Sequence, residues 1–86
     1  MIMDIHTYVE NNFPRFLQEW DSLLRIPSIS CQPEHRQDMI RCAERWRELL
    51  LEAGATRAEV MPSAGNPMVY AERIVSPAAK TVLVYA

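Results

Sequence analysis

Glycine is almost missing from this chain of 86 residues, standing only at Gly54 and Gly65. That excludes a G-x-G-x-x-G dinucleotide turn and a phosphate loop, because each needs several glycines to bring backbone N–H groups against a phosphate. Cysteine is scarce as well: Cys31 and Cys42 are not in a C-x-x-C spacing, and a reduced pair is the expected state. Neither an H-E-x-x-H helix motif nor a paired-cysteine zinc pattern occurs. Nine Lys and Arg are interleaved with eleven Asp and Glu, for a net charge of −2. Without a basic block, nucleic acid is not expected as a partner. No apolar run approaches the roughly 20 residues of a membrane span. The first ten residues carry Asp4, His6 and Glu10, where a signal peptide would need a basic and then an apolar stretch. A cytoplasmic protein with no membrane partner is the expectation.

What is present is an ordinary globular composition, with 49% hydrophobic and 23% charged residues, in a length that allows one domain or less. A chain this short buries only roughly 60–65% of the surface it exposes when unfolded, so its stability is thin. Ile5, Val9, Phe16, Trp20 and Leu23 recur at helical spacing and predict a first amphipathic helix. Pro14 has no N–H to donate and its ring crowds the carbonyl of Glu10, which predicts a kink or break around Asn11 and Asn12, with Asn12 capping the second half. The helix should end at Ile26-Pro27, and residues 28–32 read as a loop. A second helix is predicted over residues 33–53, opened by Pro33 and closed by Gly54. Met39, Cys42, Ala43, Trp46, Leu50 and Ala53 form its inward stripe, and Arg41, Glu44, Arg45, Glu48 and Glu52 its solvated face. The i,i+3 pairs Glu44 with Arg47 and Arg45 with Glu48 support that helix.

Beyond Gly54 the period shortens to 2, and residues favouring strands gather in three runs: residues 57–61, residues 68–75 and a third from Thr81. Residues 62–67 form a turn cluster, and residues 76–80 are short enough for a hairpin-like return. In the second run Met68, Tyr70, Glu72 and Ile74 alternate with Val69, Ala71, Arg73 and Val75, the pattern of a half-exposed antiparallel strand. The third run, Thr81-Val82-Leu83-Val84-Tyr85-Ala86, is nearly all apolar, as in a strand covered on both faces. It reads as cut off at its carboxyl end, where open α/β sheets place their chemistry. The expected architecture is α/β: two amphipathic helices, then three strands, at the start of a mixed sheet.

Residues capable of chemistry have ordinary structural explanations. His6 and His35 lie far apart with no further ligand types around them, so both are expected to be surface or packing residues. Trp20 and Trp46 fall on the inward stripes and are expected in the core. Cys42 lies on an apolar stripe, where a thiol is inert, and Cys31 has no activating neighbour in sequence. Asp4, Glu34 and Asp38 sit in first helical turns, where carboxylates complement the helix dipole.

In chain order, Leu23-Leu24-Arg25-Ile26-Pro27-Ser28-Ile29-Ser30, the helix ending Glu52-Ala53-Gly54-Ala55, Ala58-Glu59-Val60, Gly65-Asn66-Pro67-Met68-Val69-Tyr70-Ala71-Glu72 and the final run from Thr81 resemble the start of one enzyme family. It is the co-catalytic zinc peptidases and deacylases that include glutamate carboxypeptidase, acetylornithine deacetylase, succinyl-diaminopimelate desuccinylase and the carnosinase-like dipeptidases. The likeness covers essentially the whole chain and looks most like the dipeptidase branch. It implies that residues 1–86 are the N-terminal part of a catalytic domain ending at its third strand. It implies a hydrolase with two zinc ions that cleaves peptide or N-acyl amide bonds, and an inserted smaller domain that often mediates dimerisation. In this family an H-x-D motif follows the V-Y-A strand at once, its His ligating zinc and its Asp orienting that imidazole. The other ligands and the Glu general base come later still, so no catalytic, cofactor-binding or metal residue has a matching position here. The chain alone is expected to hold no zinc and to be inactive, its partner being the remainder of its own domain. The competing expectation is a small non-enzymatic interaction module, which associates with a partner strand or a second copy through its exposed terminal strand.

Overall fold

In a computed structural model, which describes residues 4–86, helix α1 spans Ile5–Leu24, a 3₁₀ turn Pro33–His35 leads into helix α2 at Arg36–Glu52, and strands β1 (Arg57–Met61) and β2 (Met68–Glu72) form an antiparallel pair. This is a small mixture of helix and sheet. No helix among the described residues is long and apolar enough to cross a membrane.

Asp4 caps α1, its carboxylate accepting from the His6 N–H at 3.3 Å and from the Thr7 hydroxyl at 3.3 Å, and this gives one orphan backbone donor of the first turn an acceptor. The break expected near Asn11 does not occur: α1 runs unbroken through Pro14. Side-chain bonds span the site where Pro14 withholds its N–H. Arg15 reaches back to Asn12 (3.3 Å) and the Tyr8 hydroxyl (3.4 Å), pairs forward with Glu19 (2.8 Å), and lies 4.9 Å from the centre of the Phe16 ring. Asn12, expected as a cap, instead donates from its side chain to the Tyr8 carbonyl at 2.9 Å. The helix also ends two residues short of Ile26, with Arg25 as its C-cap.

α2 follows its sequence signals more closely. Pro33 opens the 3₁₀ turn, and the helix closes at Ala53 with Gly54 at φ +108°, the left-handed region that favours glycine. Gly54 then turns the chain into β1. Its carbonyl accepts from Arg73 at 2.8 Å, while Thr56 donates its N–H to the Glu72 carbonyl at 2.8 Å and accepts the Ile74 N–H on its hydroxyl at 3.0 Å. These bonds fix where β2 ends. The strand expected to reach Val75 stops at Glu72, because its partner begins at Arg57 and the Ile74 donor has gone to a side chain.

The register places Ala58 opposite Ala71 and Val60 opposite Val69 on one face, with Arg57–Glu72, Glu59–Tyr70 and Met61–Met68 on the other. α2 packs against both strands. The buried core among the described residues is two side chains, Ala43 at 6% and Ala58 at 4% exposure. On the other face Arg57 pairs with Glu72 (3.1 Å) and Glu59 (2.9 Å) and lies 5.3 Å from the Tyr70 ring centre. The bond to Glu72, and then the charge of Glu59, raise the Arg57 guanidinium pKa above its ordinary value.

The expectation about the core is corrected, and of the three expected strands two are paired among the described residues. Trp20 is 60% and Trp46 47% exposed, and Ile5 and Val9 of the first inward stripe are exposed too. α1 meets the rest of the molecule along a narrow seam on α2, joined by a 3.2 Å bond from Arg45 to Ser22, so one α-helix and two short strands offer too little opposing surface for either indole. Residues 81–86 carry no strand pairing, and Val82, Leu83, Val84 and Tyr85 are 84–90% exposed. A strand exists by taking hydrogen bonds from a neighbour, and neither β1 nor β2 supplies them here. The accessible surface of 7538 Å² far exceeds the about 5,200 Å² that size scaling gives a folded monomer of this mass.

Candidate functional site

A cleft of about 690 Å³ lies between the loop that enters α2, the first turns of α2, and the β1–β2 connection. Ser30, Cys31, Gln32 and Pro33 form one wall and residues 62–67 the other. Met39 and Ile40 of α2 with Val60 of β1 line it as apolar surface, and Arg36 is its sole charged lining residue. Each piece has a local cause. Pro33 fixes the entry to α2, so Arg36 stands at the start of the helix and Ile40 one turn along the same face. The opposite wall is held by Ser63, whose hydroxyl donates to the Asn66 carbonyl and accepts the Gly65 N–H at 3.1 Å.

The arginines divide sharply. Arg15, Arg25, Arg41, Arg45 and Arg57 pair with carboxylates, Arg47 donates to the Ala58 carbonyl at 2.9 Å, and Arg73 to Gly54. Arg36 alone has no side-chain partner among the described residues. The expected Glu44–Arg47 pair is replaced by the bond to Ala58, while Arg45–Glu48 forms at 3.0 Å. Hydrogen bonds to Glu19 and Asp21 raise the pKa values of Arg15 and Arg25 respectively.

Comparisons with protein-family models, curated proteins and solved structures find no match to this chain.

The residues weighed in the sequence do not converge. His6 pairs with Glu10 at 3.0 Å on the exposed face of α1, and His35 with Asp38 at 2.9 Å beside the first turn of α2. Asp38 also pairs with Arg41 at 3.3 Å. Among the described residues, no three His, Cys, Asp or Glu side chains are grouped to hold a metal ion. Cys31 is free and exposed in the cleft wall, and Cys42 is free and half-buried. The cleft was not legible in the sequence. Its one available signal was an absence: Arg36 has Gln32, Pro33, Met39 and Ile40 at the i±3 and i±4 positions, so no carboxylate on its own helix can neutralise it.

Proposed function

We propose that these residues are the N-terminal scaffold portion of a zinc-dependent dipeptidase or related amidohydrolase, inactive alone, which hydrolyses peptide or N-acyl amide bonds once the rest of its domain is present. The observation that carries this reading is the terminal run from Thr81, whose sequence resembles a central strand and whose apolar side chains stand 84–90% exposed. Such a run is suited to a larger sheet covered on both faces. The chain's own contribution is mechanical: α2 and the hairpin form a base on which that strand and its successors assemble. Bound zinc would supply Lewis-acid polarisation of the scissile carbonyl and a water of lowered pKa. The described residues group no set of ligands for it, so in this proposal the ligands and the general base belong to downstream chain.

The first test is the coding sequence immediately after the codon for Ala86. A continuing frame that reads His, any residue, then Asp supports the proposal; a stop codon in the native gene overturns it for this product. The second is metal binding by the 86 residues. Absence of stoichiometric zinc and of dipeptide turnover is expected, and tight one-to-one zinc with turnover overturns the scaffold role. The same exposed run favours a second reading, an interaction module that associates by strand addition. Concentration-dependent association in sedimentation, with a native stop codon after Ala86, would select it.

A further inference from the structure

We propose that the cleft between the α2 entry and the β1–β2 connection is a binding site for a small monocarboxylate that carries one apolar group. The proposal is independent of the zinc-peptidase reading. Its volume, about 690 Å³, lies within the range of small-molecule sites, which combine apolar lining with a few placed polar groups. Met39, Ile40 and Val60 provide apolar lining for a branched or aromatic group. Arg36 provides the complementary charge. No Asp or Glu lines the cleft, and the Arg36 guanidinium has no partner among the described residues, whereas the other seven arginines are all engaged. A guanidinium presents a planar fork that accepts a carboxylate through two parallel N–H···O bonds. A single cation matches a single negative charge, which favours a carboxylate over a doubly charged phosphate.

The probe is phenylacetate, titrated into the 86-residue chain and followed by amide and arginine side-chain NMR shifts. A ligand of this size in an open cleft should bind with Kd of about 1 mM. Saturable shifts are expected at Arg36, Ile40, Val60 and Ser63, with none at α1. Neutral phenylacetamide should bind about tenfold more weakly or worse, and inorganic phosphate should not reproduce the shifts. Arg36→Gln should weaken phenylacetate about tenfold, the loss typical of a hydrogen bond to a charged group, with its own spectrum reporting whether it is folded. The comparison of phenylacetate with phenylacetamide on the unaltered chain needs no variant. Phenylacetate should also slow alkylation of Cys31 by iodoacetamide relative to Cys42, since Cys31 stands in the cleft wall. Equal binding of acid and amide, absence of shifts at ten times the expected Kd, or shifts spread evenly over exposed apolar residues would each overturn the proposal.

Discussion

α2 with its hairpin and α1 with residues 81–86 are built from similar amounts of apolar sequence but reach opposite ends. In the first region each element covers another: α2 lies on both strands, Ala43 and Ala58 are buried, and bonds from Gly54, Thr56 and Arg73 tie the helix end to the strand end. In the second, Ile5, Phe13, Trp20 and Leu24 line one helix and Val82 to Tyr85 one run outside any helix or strand, and all are exposed. The difference is one of partners and not of hydrophobicity, because burial lowers free energy only where a second apolar surface meets the first. Stability should therefore reside almost wholly in the first region, and substitutions should report that division.

The harshest way to break it is Ala58→Asp. This places an unpaired carboxylate at a position 4% exposed, and an uncompensated buried charge costs about 3–5 kcal/mol. In so small a core that should abolish the cooperative thermal transition followed by circular dichroism. A variant that melts like the parent would show that Ala58 is not the centre of the structure.

Pro14→Ala tests the other region. It restores the N–H that the Glu10 carbonyl lacks and removes a residue that costs up to about 3 kcal/mol inside a helix. The gain should be local. Hydrogen exchange should slow at amides of α1 near residue 14 and remain unchanged in β1 and β2, because α1 is only narrowly joined to α2. Equal slowing in the strands would mean that the two regions unfold as one unit.

A smaller effect is expected at Gly54, which lies at φ +108° with Arg73 only 2.6 Å from where a Cβ would stand. The arginine tip can move aside, so the cost of Gly54→Ala is mainly backbone strain, about 1–3 kcal/mol. Gly65→Ala meets open space and should stay within about 0.5 kcal/mol. Denaturant midpoints for the pair measure the contrast directly.

What could be read in advance follows the same division. The end of α2 was legible because Gly54 acts through its own backbone geometry, which needs no knowledge of the fold, while Pro33 marked the 3₁₀ turn that leads into the helix and not the start of α2 at Arg36. β1 was legible for a related reason: Gly54 before it and Pro62 after it bound the run of residues 57–61. The continuity of α1 was not, since the rule against internal proline was offset by the bonds that Arg15 makes to Tyr8, Asn12 and Glu19. Pairings between distant residues were hidden too. Arg47 chose the Ala58 carbonyl over the nearby Glu44, and β2 lost its last residues to a bond with Thr56. The indoles of Trp20 and Trp46 had the right spacing for a core, but periodicity specifies a face and says nothing of what will cover it. The candidate site was the least visible, since an unpaired Arg36 is defined by what its neighbours are not.

The smallest effect is the most discriminating. Leu83→Asp changes a side chain that is 84% exposed, so it takes almost no apolar area back into water and should shift stability by no more than about 0.5 kcal/mol. The same substitution in a strand covered on both faces would bury a charge and cost several kcal/mol. A thermal midpoint unchanged beside the parent is therefore the expected result for residues 81–86 standing free. A marked fall would mean that this run is packed in solution, against β2 or against a second copy. Dilution separates the two, because an intramolecular third strand leaves the midpoint independent of concentration, whereas pairing between copies makes it rise with concentration.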